Sequence, residues 1–235
     1  MKNSEKNTIY SMQAFPAPWK LKGKGYILLF RFSNQEIEAD KFLSDFFREN
    51  FCGGFASLMI VEYKSSDAGP YNELLLIPGK FRYKGQKKNT ISKIYVSTMA
   101  SVENGIRNWA IPKELADIKF EQDGKLREKV TASIGEKEFF LATFRKFRLP
   151  FPVHTAFLPF PLIQFRDNKA FFTKFSGKGW GNFVKPVLGK SDTDYFPDLS
   201  SKKIIAAIKV EPFQICFPKA VVVDSFTTSG LRDEK

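Results

Sequence analysis

The sequence predicts a strand-dominated α+β domain with few helices. Short runs rich in β-branched, aromatic and other apolar residues recur at Tyr26 to Phe32, Ala56 to Tyr63, Glu73 to Ile77 and Ile94 to Met99. Turn signals separate such runs, at Gly53-Gly54, at Gly85 and in the hairpin dipeptide Asp123-Gly124. Sustained helical spacing occurs in one stretch, Gln35 to Glu49, with Ile37, Phe42, Leu43, Phe46 and Phe47 broadly on one side. No linker-like stretch divides the 235 residues, so 1–235 read as a single domain with loose tails at 1–14 and 227–235. A chain of this length buries a sizeable core without staples.

The elements follow in order. Pro16 and Pro18 punctuate an extended entry. Gly23-Lys24-Gly25 is a tight basic turn that lacks the Gly-Lys-Ser/Thr ending of a phosphate loop. Ser33 and Glu36 have capping-box spacing and start the helix. After the Ile94 strand, Asn104-Gly105 reads as a turn, and a short helical turn is expected from Lys113 through Ala116. Ile118 to Gln122 and Lys125 to Ser133 form the two arms of a hairpin, and Lys137 to Phe147 is a strand. Pro150, Pro152, Pro159 and Pro161 break up the next stretch. Phe151, Phe157 and Phe160 lie between them, as a pocket wall, a lid or an irregular crossing. Ala170 to Phe175 is strand-like, and Gly177, Gly179 and Gly181 form a flexible run around Trp180 without dinucleotide-fingerprint spacing. Strands at Ile204 to Pro212, Phe213 to Phe217 and Ala220 to Phe226 close the fold.

Composition narrows the function. Phe is used 26 times, against 7 Tyr and 3 Trp, which supplies bulk without polar groups and suits a core or an apolar pocket. Cys52 and Cys216 are far apart in apolar settings and read as buried free thiols of a reducing compartment. Residues 1–20 contain no signal-peptide apolar region, and no run has membrane-spanning length, so a cytoplasmic protein is expected. The net charge of +12 is spread over several groups, among them Lys80, Arg82, Lys84, Lys87 and Lys88. No nucleic-acid-binding motif accompanies it, and nucleic acid is not the expected partner. His154 is the only histidine and no Gly-x-Ser-x-Gly elbow is present. The cysteines lack zinc-ligand spacing, and neither a metal nor another cofactor is expected.

One lysine stands out. Lys113 follows Trp109, Ala110, Ile111 and Pro112 and precedes Leu115 and Ala116. A lysine held where water is scarce favours its neutral form, because desolvation penalises the ammonium, and a neutral amine condenses with carbonyls. The same local residues equally describe a surface lysine whose stem covers apolar neighbours.

Two blocks resemble the acetoacetate decarboxylase family. Ile111-Pro112-Lys113-Glu114-Leu115-Ala116, preceded by Gly105, is similar to the segment around that family's Schiff-base lysine. Gly69-Pro70-Tyr71-Asn72-Glu73, running into Leu74 to Pro78, resembles its Gly-x-Tyr-x-Glu strand. Order and spacing agree, and Ala17 through Phe32 matches more weakly. The resemblance implies a closed or nearly closed β-barrel with the pocket inside it. It also implies a homo-oligomer and a lyase reaction on a small keto acid or related carbonyl substrate, either decarboxylation or an aldolase-dehydratase variant. It gives Lys113 the role of nucleophile and Glu73 that of proton carrier or hydrogen-bonding carboxylate. Lys24 falls where the family carries an arginine and becomes a candidate contact for a substrate carboxylate, with Tyr71, Met99 and Trp109 as further substrate-binding candidates. The sequence departs from the family at Glu114, where the decarboxylases carry a second lysine, and at Leu58, where they carry a further pocket carboxylate. On a strand, Glu114 would point away from the face that Lys113 uses. Two other readings stay open at this point: a non-catalytic barrel that binds an apolar carboxylate, and a basic adaptor to anionic lipid or nucleic acid.

Overall fold

The computed structural model describes residues 13–156 and 160–225. Apart from residues 13 and 14, the expected tails lie outside the described residues, as do Phe157 and Pro159. In chain order the first elements are β1 (Trp19–Phe30), α1 (Asn34–Glu38), α2 (Asp45–Glu49), β2 (Ala56–Ser65), β3 (Tyr71–Ile77), β4 (Lys80–Tyr83), β5 (Gln86–Asn89) and β6 (Lys93–Val96). They are followed by α3 (Met99–Trp109), β7 (Lys113–Leu115), β8 (Asp117–Asp123), β9 (Arg127–Ile134) and β10 (Lys137–His154). The last are β11 (Leu162–Arg166), β12 (Lys169–Thr173), β13 (Ser176–Leu188), β14 (Ala206–Phe217) and β15 (Val221–Asp224). The strand-dominated α+β architecture expected from the sequence is therefore present.

Ten strands make the main sheet in the order β7-β6-β3-β2-β1-β14-β13-β10-β9-β8, and a smaller sheet runs β15-β12-β11-β5-β4. The main sheet curls into a half-barrel but does not close, which corrects the closed or nearly closed barrel that the resemblance implied. Its two edge strands, β7 and β8, are joined through Ala116 with no ladder between them. β7 has only three residues, too few to seal an edge. A side chain bridges part of the opening instead: the Asn72 amide donates to the Ile118 carbonyl at 2.7 Å.

Alternation along the central strands separates two environments. Leu28, Phe30, Leu58, Ile60, Leu74 and Leu76 face the interior of the curl, where they meet Ile118, Val130, Phe140 and Phe144 from β8, β9 and β10. The residues between them, such as Val61, Leu75 and Ile77, face the other way. There α3 and one face of the small sheet cover them, through Trp109, Leu162 and Phe171. Because the sheet is open, this second layer, and not barrel closure, completes the enclosure. The opposite face of the small sheet, with Phe81 and Ile163, packs on Ile37 of α1 and Phe47 of α2.

Several local readings change. Gly23-Lys24-Gly25 is not a tight turn but lies within β1, Lys113 to Leu115 is strand β7 in place of the expected helical turn, and β10 runs on through Pro150 and Pro152. The expected single helix Gln35–Glu49 is two short ones. The capping box at Ser33 and Glu36 is present, but Asp40 accepts from the Phe42 N–H at 2.9 Å and turns the chain before Ser44 begins α2. The glycine run 177–181 is strand. A Cβ on Gly179 would sit 2.6 Å from the Pro212 carbonyl oxygen, and one on Gly181 2.7 Å from Val153, so these glycines permit close approach within the sheet. The Asn104-Gly105 turn is the middle of helix α3.

Candidate active site

α3 and β7 build the site together. Thr98 caps the helix by accepting from the Ser101 N–H, and Ala110 ends it in the left-handed region at φ 54°. Val102, Ile106 and Trp109 recur at helical spacing and turn inward. The chain then enters β7, which pairs in parallel with β6 so that Lys113 stands beside Ile94. Gly105 sits directly under the lysine stem. A Cβ there would lie 2.6 Å from Lys113 Cδ and 2.8 Å from Cε. Gly105→Ala is therefore expected to keep the fold and to push the amine from its partners, slowing any reaction of Lys113 about 10- to 100-fold. Rates of covalent trapping for the variant and the parent protein check this.

Lys113 is buried, its side chain only 4% exposed, and that of Glu73 is 6% exposed. Lys113 Nζ donates to Glu73 Oε2 at 2.9 Å and to Ser101 Oγ at 3.0 Å, and lies 3.5 Å from the Tyr71 hydroxyl. Tyr63 donates to the other oxygen, Glu73 Oε1, at 3.1 Å. Burial, reinforced by the negative charge of Glu73, pushes the Tyr63 and Tyr71 phenols well above the usual tyrosine range. Both remain hydrogen-bond donors at physiological pH.

These groups open on a cavity of about 250 Å³. Trp19, Leu21, Trp109, Phe160, Phe175 and Phe213 are among its walls, so part of the Pro- and Phe-rich stretch is a pocket wall. The structure thus brings together four of the residues singled out in the sequence: Lys113, Glu73, Tyr71 and Trp109. Tyr63 and Ser101 were missed, and so was the helical setting of Gly105. The signal for the last two was the Thr98 cap followed by Val102, Ile106 and Trp109 at helical spacing, which places Ser101, Gly105 and Trp109 on one face. Tyr63 was legible only as a strand residue.

Two candidates stand elsewhere. Met99 opens α3 and is 43% exposed; it is not among the residues lining the cavity. Lys24 is not among them either. It lies beside a β-bulge in β1 and bonds Glu128 at 2.5 Å and Glu62 at 2.9 Å. Burial opposes its charge, but those two carboxylates outweigh it and hold the Lys24 pKa above the ordinary lysine value. Glu128 also accepts from the Tyr26 hydroxyl at 2.5 Å and faces Lys209 at 3.5 Å. Burial likewise works against its charge, and these partners hold its carboxyl below the usual range. Lys24 therefore belongs to a satisfied ionic cluster, which replaces the expected carboxylate contact.

Glu114, the departure from the family pattern, points away from Lys113. It pairs with Lys93 at 2.6 Å and is 52% exposed. Its partner Lys93 is buried, its side chain 10% exposed, so the pair matters more than one between two exposed side chains. Glu114→Gln is expected to lower stability by about 1–3 kcal/mol, because buried Lys93 loses its counter-charge, and to leave covalent trapping on Lys113 unaltered, as thermal melting and adduct mass would register.

No protein-family model matches the sequence, and no curated protein does. Solved structures do match. An acetoacetate decarboxylase aligns over 96% of this chain and 97% of its own, with a TM-score of 0.71 at 16% identity. The chain has an acetoacetate decarboxylase-like fold. The acetoacetate decarboxylase of Legionella pneumophila subsp. pneumophila str. Philadelphia 1 aligns over 90% of this chain and 89% of its own, with a TM-score of 0.67 at 16% identity. The enduracididine biosynthesis enzyme MppR, solved with pyruvate, aligns over 93% and 95%, with a TM-score of 0.62 at 14% identity. At such identities the acetoacetate decarboxylase-like likeness is one of fold. No helix among the described residues is long and apolar enough to cross a membrane.

Proposed function

We propose that this chain is a Schiff-base-forming carbon–carbon lyase acting on a keto acid or a related carbonyl compound through Lys113. The observation that carries the reading is a buried lysine amine at an apolar cavity, 2.9 Å from a buried carboxylate. Glu73 takes a proton from Lys113 Nζ, and the free amine adds to the substrate carbonyl carbon. Return of the proton to the carbinolamine oxygen expels water and leaves an iminium. The iminium draws electrons from the neighbouring carbon, so that a bond there breaks, to carbon dioxide in a β-keto acid, and an enamine remains. Protonation and hydrolysis release the product and restore the lysine. Tyr63 and Ser101 fix the two ends of the Glu73–Lys113 pair.

The acetoacetate decarboxylase and MppR folds support the reading, as does the position of Glu114 outside the cavity. Trp180, Phe183 and Val187, exposed on β13, support the homo-oligomer that forms part of the proposal. Borohydride trapping tests the chemistry. Incubation with β-keto acids and with acetopyruvate-type diketones, followed by reduction, is expected to add mass to the peptide that contains Lys113. A well-folded protein that takes up no carbonyl compound would refute the proposal.

A further inference from the structure

We infer that the compound Lys113 accepts is a ketone with an apolar tail of about six carbons, recognised through that tail and not through a carboxylate. The inference rests on the Schiff-base reading above and narrows its substrate class. The strand register lays out the cavity wall in rows. Glu73 pairs with Val61, and these share a row with Gly25. Along the strands from there, the next row is Ile27, Met59 and Leu75, and the row after it includes Leu29, Ile77 and Ala206. All six line the cavity and none is polar. Four residues of strand, from Glu73 to Ile77, span about 13 Å. The Lys113 amine, the Glu73 carboxylate and the Tyr63 and Tyr71 hydroxyls therefore sit together, and an apolar channel leads away from them.

Size and charge agree with a tail. An apolar cavity of about 150 Å³ takes benzene, and this one measures about 250 Å³. By proportion it holds roughly ten non-hydrogen atoms, close to a methyl ketone of eight carbons. The cations that line it are Lys113, which is the nucleophile, and Lys178, which is exposed beside exposed His154 where β13 pairs with β10. Lys24 is committed to Glu62 and Glu128. A substrate carboxylate placed along the apolar channel would find no cation there, an arrangement that burial penalises heavily. A methylene chain meets no such cost there.

The test measures adduct formation on Lys113 against ketone concentration. Butanone is compared with 2-octanone, and acetoacetate with 3-oxooctanoate. Condensation joins the carbonyl carbon to Nζ and releases water; borohydride then delivers hydride to the iminium and fixes a secondary amine. Each methylene removed from water gains about fourfold. The four extra methylenes of 2-octanone are expected to lower its half-saturating concentration about 200-fold below that of butanone, and 3-oxooctanoate is expected to gain similarly over acetoacetate. Ala206→Phe fills the far end of the channel and is expected to cut the octanone advantage below tenfold, and Leu29→Phe serves the same purpose at the neighbouring position. Half-saturation that is equal within threefold across chain lengths would overturn the inference while leaving the Schiff base in place. So would a full octanone advantage in both filled variants. Calorimetric titration of Lys113→Met with 2-octanone separates the other case: saturable binding, with no adduct on the parent protein, would uphold the tail and defeat the Schiff base. No adduct and no binding would defeat both.

Discussion

Lys113→Met is expected to abolish the borohydride-fixed adduct with every ketone and to lower turnover by at least 1000-fold. Lys113 is the buried lysine that the cavity offers, with a side chain 4% exposed, whereas Lys178 is exposed. A thioether of similar length fills the space of the stem and cannot form an imine. Removing one partner of a buried ion pair leaves the other uncompensated, which costs about 3–5 kcal/mol. Part of that cost is offset, since Tyr63 still donates to Glu73. A loss of about 3 kcal/mol corresponds to a drop in Tm of roughly 6–12 °C for a chain of this size. The double variant Lys113→Met with Glu73→Gln removes both charges and is expected to recover most of the lost stability without any adduct. Intact mass after reduction reads the chemistry, and thermal melting reads the pair. An undiminished adduct in Lys113→Met would assign the nucleophile to another amine.

The parts of this site that were legible in the sequence were those set by local pattern. Alternation in Tyr71 to Ile77 places Tyr71, Glu73 and Leu75 on one face, as the ladder with β2 has it. Alternation also puts Glu114 behind Lys113, where Lys93 receives it. What escaped was set by long-range contact. Gly105 looked like a turn because Asn-Gly is a turn signal; glycine stands within the helix there because the lysine stem from β7 leaves no room for a Cβ. Asn104 looked like its turn partner, yet its side chain accepts from the Phe15 N–H at 2.8 Å and donates to the Ala100 carbonyl at 2.9 Å, tying the N-terminal segment to α3. The fate of Lys24 was equally illegible, because its partner Glu128 is 104 residues away. Barrel closure is a property of edge pairing, which single-strand periodicity does not contain.

Glu73→Gln is expected to slow adduct formation about 100- to 10,000-fold, the range typical of a lost general base, while the adduct that forms still sits on Lys113. That pair of results separates a proton-transfer role from a binding one. The amide keeps the shape of the carboxylate: its oxygen accepts from Lys113, and its NH2 faces the Tyr63 hydroxyl, which turns from donor to acceptor. It does not readily take the proton that must leave Nζ before attack. Stability is also expected to fall by about 3 kcal/mol, since a buried ammonium loses its counter-charge. Glu73→Asp retains the charge but withdraws it by one methylene, and a displacement of about 1 Å can cost 100-fold where reacting groups must be held in line. Its expected rate is therefore intermediate, with stability closer to the parent protein. Tyr63→Phe leaves Glu73 Oε1 without its donor, at about 1–3 kcal/mol, and keeps the Glu73–Lys113 contact. Stopped-time trapping across the series gives the order parent, Tyr63→Phe, Glu73→Asp, Glu73→Gln. A Glu73→Gln rate within threefold of the parent would mean that the proton leaves by another route, with water or Ser101 as the nearest alternatives, and would reduce Glu73 to a counter-ion.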